Sequence, residues 1–212
     1  MMKPLHACSL YTFVDTGCLG GRNPVTVAAE LCEGGSDIIQ LRAKDRTLKE
    51  VGIIAEKILR VTEQAGVWLV INDHPQVAQD IGAPLVHLGQ EDFFHLQLLP
   101  LPGQSFGLSS HAPEQAERAI RSGAAYIAIG PVYATPTKPS ATPVTVEYIR
   151  WAAANVRIPW FAIGGINLQT LDDVLAAGAT RICVVSAILN SPDIRQACQA
   201  FKQRLSSAAR TI

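Results

Sequence analysis

The sequence predicts a single-domain α/β protein folded as a (β/α)8 TIM barrel, and three observations point to it. Short apolar, β-branched runs alternate with longer amphipathic stretches eight times along the chain. Three of the amphipathic stretches end in a similar glycine-bearing turn, Glu33-Gly34-Gly35, Ser122-Gly123-Ala124 and Ala177-Gly178-Ala179, each followed closely by an apolar run. Glycine there supplies the left-handed backbone that stops a helix and turns the chain into a strand. Finally, 212 residues divide into eight units of about 26, slightly under the ~250-residue total typical of this barrel. A doubly wound open sheet usually has fewer strands and a glycine-rich turn after the first, whereas Gly17, Gly20 and Gly21 lack the G-x-G-x-x-G order. The whole chain, residues 1–212, reads as one domain without an interdomain linker.

Taken in order, the first strand is expected over Ser9–Val14 and ends at Asp15. The second, Ile38–Leu41, leads into Gln40-Leu41-Arg42-Ala43-Lys44-Asp45. Because side chains alternate along an extended chain, Gln40, Arg42 and Lys44 are expected on one side, facing the barrel mouth. Leu48, Val51, Ile54, Ala55, Ile58, Leu59 and Thr62 then follow at helical spacing. The third strand, Trp68–Ile71, delivers Asn72-Asp73-His74, and the fourth, Leu85–Leu88, delivers Gly89-Gln90-Glu91-Asp92. The fifth, Ser105–Leu108, opens into Ser109-Ser110-His111. The sixth, Tyr126–Ile129, runs through Gly130 to Lys138, and the Pro/Thr/Ser-rich segment Ala134 to Pro143 is expected to be a mobile loop over a site. The seventh, Trp160–Ile163, ends in Gly164-Gly165-Ile166, and the eighth, Ile182–Val185, ends in Ser186. Parallel strands buried on both faces account for runs that are apolar throughout.

Composition narrows the function. Apolar residues make up 48%, charged residues 17%, and mean hydropathy is +0.19, which fits a packed globular domain rather than a disordered chain. Eighteen Lys and Arg balance eighteen Asp and Glu, so no long-range field draws in nucleic acid or an anionic membrane. The five cysteines form no C-x-x-C pair, and neither a signal peptide nor a membrane span is evident, so a reducing cytoplasm is the expected compartment.

In this barrel, chemistry sits at the C-terminal strand ends, where polar residues collect here. Inward-facing Arg42 and Lys44 require an anion, and either Asp73 and Asp92 or a polyphosphate could supply it. Lys138 and several hydroxyls on the same rim favour the polyphosphate. Asp73 and Asp92, after neighbouring strands, suggest Mg2+ held by one or two carboxylates, phosphate oxygens and water. Gly164-Gly165 and Val185-Ser186 follow the seventh and eighth strands, where such barrels commonly hold a phosphate on backbone N–H groups. His87 reads as a hydrogen-bonded barrel histidine, and His111 is the histidine placed for proton transfer.

With these residues in hand, the chain resembles the thiamine phosphate synthase family over nearly its whole length. The resemblance rests on Gln40-Leu41-Arg42-x-Lys44, Asn72-Asp73, His87-x-Gly89-Gln90-x-Asp92, Gly130-Pro131 through Thr135-x-Thr137-Lys138, and Ala162-Ile163-Gly164-Gly165-Ile166. It implies a transferase that joins 4-amino-2-methyl-5-(diphosphooxymethyl)pyrimidine to 4-methyl-5-(2-phosphoethyl)thiazole, or its carboxylate form, and releases diphosphate by a dissociative, Mg2+-assisted route. By position, it implies that Gln40, Leu41, Arg42, Ala43, Lys44, Asn72, Ser109 and Lys138 bind the pyrimidine diphosphate, with Arg42, Lys44, Ser109 and Lys138 catalytic. It implies Asp73 and Asp92 at Mg2+, and Thr135, Pro136, Thr137, Gly165, Val185 and Ser186 at the thiazole phosphate. Two departures stand out: Ala43 occupies a position where the family usually has Glu, and Pro143-Val144-Thr145-Val146 occupies a stretch where it usually has a glycine. The related thiazole tautomerase, which uses a histidine at the place of His111, lacks the Asn-Asp and Gly-Gln-x-Asp pairs present here. A non-catalytic barrel binding a phosphorylated metabolite is the alternative from another class. Exposed apolar helix faces and the resemblance point to a homodimer.

Overall fold

The computed structural model describes residues 2–135, 137 and 141–208. Eight parallel strands close into a barrel in chain order: β1 (Leu10–Asp15), β2 (Ile38–Arg42), β3 (Trp68–Asn72), β4 (Leu85–Leu88), β5 (Ser105–Ser110), β6 (Tyr126–Ile129), β7 (Trp160–Ala162) and β8 (Ile182–Cys183). The last strand pairs with the first, Leu10 opposite Ile182 and Tyr11 opposite Cys183. The helices are α1 (Pro24–Glu33), α2 (Leu48–Ala65), α3 (Pro75–Ile81), α4 (Gln90–Phe94), α5 (Pro113–Arg121), α6 (Thr145–Asn155), α7 (Leu171–Ala176), α8 (Ser186–Leu189) and α9 (Ile194–Ala208). Every expected strand is present within two residues of its expected ends. The eighth is the shortest, because Val184 still donates its amide to the Tyr11 carbonyl but Val185 turns away to start α8. Gly35, Gly123 and Gly178 take φ of 91°, 84° and 102°, the left-handed conformation expected of the three helix-ending turns.

Alternation along each strand sorts side chains into two cores. Leu10, Val14, Ile39, Leu41, Leu69, Ile71, Val86 and Ile127 point outward and pack under helix residues such as Leu31, Ala55, Ile58 and Ala116. The inward set contains Tyr11, Phe13, Ile38, Val70, Leu85, Tyr126, Phe161 and Cys183. Phe161 meets the rings of Tyr11 and Tyr126 edge-on, with centroids 5.4 and 5.7 Å away, so aromatic side chains from three strands fill the barrel. The inner face is not apolar throughout, contrary to the sequence expectation. Toward the C-terminal strand ends it carries the buried polar side chains of Gln40, Asn72 and His87. A packed lower layer beneath a polar upper layer puts the reactive mouth on a rigid floor.

At the opposite, N-terminal end, Asp37 stitches three parts of the chain together. It accepts hydrogen bonds from the amides of Ser9 (2.8 Å) and Leu10 (3.1 Å), from Lys3 Nζ (2.8 Å), and from Lys202 Nζ on α9. Among the described residues, no helix is long and apolar enough to cross a membrane.

Candidate active site

A cavity opens at the C-terminal ends of the strands. One wall carries Gln40, Arg42, Asn72, His87 and Ser109 from β2 to β5, and the facing wall carries Thr135, Thr137, Gly165, Val185 and Ser186. Tyr11, Phe13, Ile163 and Cys183 form its floor and sides. One enclosure therefore joins members of both groups expected around separate anions, while Lys44, Asp73 and Asp92 are not among its lining residues.

The polar wall is built strand by strand. Gln40 and Arg42 face inward as alternation requires, but the periodicity argument stops at Arg42, where β2 ends. Lys44 stands in the turn beyond, 56% exposed, with its Nζ 3.0 Å from Asp73 Oδ2. Arg42 Nη1 donates to Asp15 Oδ2 at 2.7 Å, so its carboxylate partner lies on β1 rather than being Asp73 or Asp92. Leu41 and Ala43 turn their side chains into the outer core, so only their backbone is available to the mouth. Asp73 is held at φ 60°, a left-handed conformation uncommon outside glycine, while Asn72 Nδ2 donates to its Oδ2 at 2.7 Å. Strained backbone at the rim thus fixes where that carboxylate points. Ser109 is clamped twice: its carbonyl accepts from Gln90 Nε2 at 2.6 Å, and its hydroxyl lies 3.0 Å from His87 Nε2. Gln90 is itself oriented by Arg118, whose guanidinium rests 3.7 Å above the Phe94 ring.

The facing wall has a different logic. Gly164 and Gly165 take φ of 103° and 64°, and a Cβ on either would lie 2.4 Å from Pro131 Cα or 2.7 Å from the Ala134 carbonyl oxygen. Close packing of the segment after β6 therefore requires both glycines before any ligand is considered. Thr137 N donates to Thr135 Oγ1 at 3.4 Å, keeping both hydroxyl-bearing residues at the mouth. Pro136 and Lys138 lie outside the described residues. Thr145, in the stretch where a glycine is usual, itself adopts φ 61°, so a β-branched residue takes the left-handed turn into α6. His111 lines the same cavity and its Nδ1–H donates to the carbonyl of Gly130.

Tyr11 lines the cavity, and Asp15 and Tyr126 hold its lining residues Arg42 and His87, yet none of the three is singled out by the sequence. Asp15 ends an apolar strand at the rim, as Asp73 does one residue beyond β3, and that position is the signal that could have found it. The two tyrosines sit inside apolar runs, where their hydroxyls are invisible to periodicity. Among the described residues, no three His, Cys, Asp or Glu side chains gather into a self-contained metal site. Asp92 lies in the first turn of α4, its carboxylate folded against Gly89, whose adjacent strand ends beside that of Asp73. Two carboxylates at neighbouring strand ends suit a hard cation that takes its remaining oxygens from phosphate and water, not a cage made of protein alone.

A family model described as thiamine monophosphate synthase matches residues 10–188. A thiamine-phosphate synthase of Thermus thermophilus is 45% identical over 177 residues, covering 83% of this chain and 86% of that protein. One from Caldicellulosiruptor bescii is 38% identical over 213 residues, covering 99% and 97%. Among solved structures, a thiamine phosphate pyrophosphorylase from Pyrococcus furiosus superposes with a TM-score of 0.85 at 27% identity, covering 97% of this chain and 99% of that one.

Proposed function

The chain belongs to the thiamine monophosphate synthase family and is a transferase of thiamine biosynthesis; on that premise we propose how its residues carry the reaction. The substrates are 4-amino-2-methyl-5-(diphosphooxymethyl)pyrimidine and 4-methyl-5-(2-phosphoethyl)thiazole or its carboxylate form. The observation that carries the proposal is the single cavity with a cationic, amide-bearing wall on one side and a hydroxyl and glycine wall on the other. Gln40 and Asn72 orient the pyrimidine, while Arg42, Lys44, Ser109 and Lys138 receive its diphosphate. Thr135, Pro136, Thr137, Gly165, Val185 and Ser186 hold the thiazole phosphate. Asp73 and Asp92 would hold Mg2+, which when bound supplies positive charge to diphosphate oxygens.

The proposed transfer is dissociative. The bond from the pyrimidine methylene carbon to diphosphate oxygen breaks, and both electrons leave with the diphosphate. The aminopyrimidine delocalises the resulting cation, and the thiazole nitrogen donates its lone pair to form the new C–N bond; from the carboxylate form the carboxylate then leaves as CO2, its bonding pair passing to the ring carbon, which takes a proton from water. The protein contributes positioning and charge, by letting Arg42 and Lys44 exchange Asp15 and Asp73 for phosphate oxygens. No protein nucleophile is required. Cys183, in the cavity wall, supports this reading because burial pushes its thiol well above the ordinary range, keeping it protonated. Exposed Leu48, Ile53, Leu96 and Leu99 support a homodimer, which sedimentation equilibrium tests.

The deciding experiment incubates the protein with both substrates and Mg2+ and separates the products. Thiamine phosphate and diphosphate in equal amounts are expected. Absence of product while both ligands bind would sink the proposal and favour a barrel that only binds them.

A further inference from the structure

The barrel interior carries a hydrogen-bonded chain that runs beneath the site and ends in it. Gln40 Nε2 donates to the Tyr11 hydroxyl at 2.7 Å, and the Tyr11 and Tyr126 hydroxyls lie 2.9 Å apart. The Tyr126 hydroxyl is 3.1 Å from His87 Nδ1, and His87 Nε2 is 3.0 Å from Ser109 Oγ. Five side chains from five strands are thereby linked across the barrel.

The first donor sets the direction of the whole chain. A hydroxyl carries one proton, and a buried O–H left without an acceptor costs about 1 to 3 kcal/mol. With the Gln40 amide donating to it, Tyr11 turns its own proton to Tyr126, and Tyr126 turns its proton to His87 Nδ1. The ring then holds its proton on Nε2 and donates to Ser109 Oγ. The remaining Ser109 proton is directed into the cavity that this residue lines. Burial pushes both tyrosine hydroxyls well above their ordinary range, so both retain the protons the chain needs.

A second feature shows that Tyr126 is placed by its neighbours. Gly107, in the middle of β5, packs flat against its ring: a Cβ there would sit 2.1 Å from Tyr126 Cζ. Glycine weakens a strand interior and commonly marks close approach by another group. Here the group is the ring that brings the Tyr126 hydroxyl to His87.

We propose that Tyr126 is a positioning residue of the transfer reaction: acting through His87, it fixes the Ser109 hydroxyl as a hydrogen-bond donor to a substrate phosphate oxygen rather than an acceptor from the aminopyrimidine N–H. This inference rests on the synthase reading above. It is tested first without substrate, by two-bond 1H–15N correlation of the histidine rings in labelled protein, with His87 assigned from a His87→Asn variant. An Nε2–H tautomer is expected, and an Nδ1–H tautomer overturns the proposal. In Tyr126→Phe, His87 is expected to become a tautomer mixture, and kcat is expected to fall about tenfold, the equivalent of one hydrogen bond. KM for the thiazole phosphate should stay within about twofold, because that wall is untouched. Lost activity with an unaltered His87 tautomer, or an altered tautomer with unaltered kcat, overturns the proposal. Absence of product from the unaltered protein would instead remove the synthase reading, an outcome distinct from any tautomer result.

Discussion

The barrel holds carboxylate and cation clusters at both ends, built from the same residue types. At the N-terminal end, Asp37 is 3% exposed as a side chain and has Lys3, Lys202 and two backbone amides as partners. At the C-terminal end, Lys44 is more than half exposed and Arg42 a fifth exposed, and among the described residues each has one carboxylate partner, Asp73 and Asp15 respectively. A fully partnered buried ion contributes to stability and has no capacity left for a ligand. A rim ion with a single partner can exchange that partner for a phosphate. Satisfaction, not charge, separates the structural end from the reactive end.

The largest effect that sharpens this contrast is expected at the rim. Asp73→Asn should lower turnover by about 10³-fold, the scale of losing one preorganised electrostatic contact in a site. Its unfolding free energy should change by less than about 1 kcal/mol, since the pair with exposed Lys44 is screened by water. Steady-state assay and urea unfolding of the same preparation check both. A stability loss as large as the activity loss would break the distinction.

Asp37→Asn is the reciprocal case. Removing the buried charge strands Lys202 beside it and should destabilise the protein by about 3 kcal/mol. Turnover per folded molecule should be unchanged, because nothing at the mouth moves. Lost activity in the folded variant would show that the two ends are coupled.

A smaller, pH-dependent effect follows from the same carboxyl. Burial pushes the Asp37 pKa up, but hydrogen bonds from Lys202, Lys3 and the Ser9 and Leu10 amides outweigh it and bring it down to about 2. A folded pKa below the unfolded value, ~3.9, means a contribution fully present above that value and lost as pH falls toward 2. Urea unfolding between pH 5 and pH 2 should therefore show a steeper loss in the parent protein than in Asp37→Asn. Parallel curves would mean that Asp37 is not the acid-sensitive contact.

The same division explains what the sequence reveals. Strand order and helix stops are local properties, so eight apolar runs and three glycine turns suffice to place the barrel. Rim residues beyond the strands are legible because polar side chains stand out against apolar runs. Partners are less legible, because pairing is a matter of three-dimensional neighbours. Lys44 reaches Asp73, one of the two acids weighed for it, but Arg42 reaches Asp15, which alternation on its own strand cannot reveal. Polar groups of the interior are harder still. Tyr11 and Tyr126 lie within apolar strand runs, and the ring that Gly107 accommodates is a neighbour only the folded barrel supplies.

The smallest expected effect concerns His111, which separates two kinds of chemistry on one rim. Its Nδ1–H is committed to the Gly130 carbonyl, and its amide donates to Gln115 Oε1 at 2.7 Å, so the residue ties the end of β5 to the end of β6. A transfer in which the diphosphate leaves and the thiazole nitrogen attacks requires no proton from this ring. His111→Ala should then lower kcat by less than about threefold, whereas loss of a general acid or base typically removes about 10² to 10⁴. A loss of the latter size, with a flattened pH–rate profile, would assign proton transfer to His111 and move the reaction toward tautomer chemistry. A small loss leaves the rim cations and carboxylates as the groups on which turnover depends, and the pairing of Lys44 with Asp73 as the contact a substrate must displace.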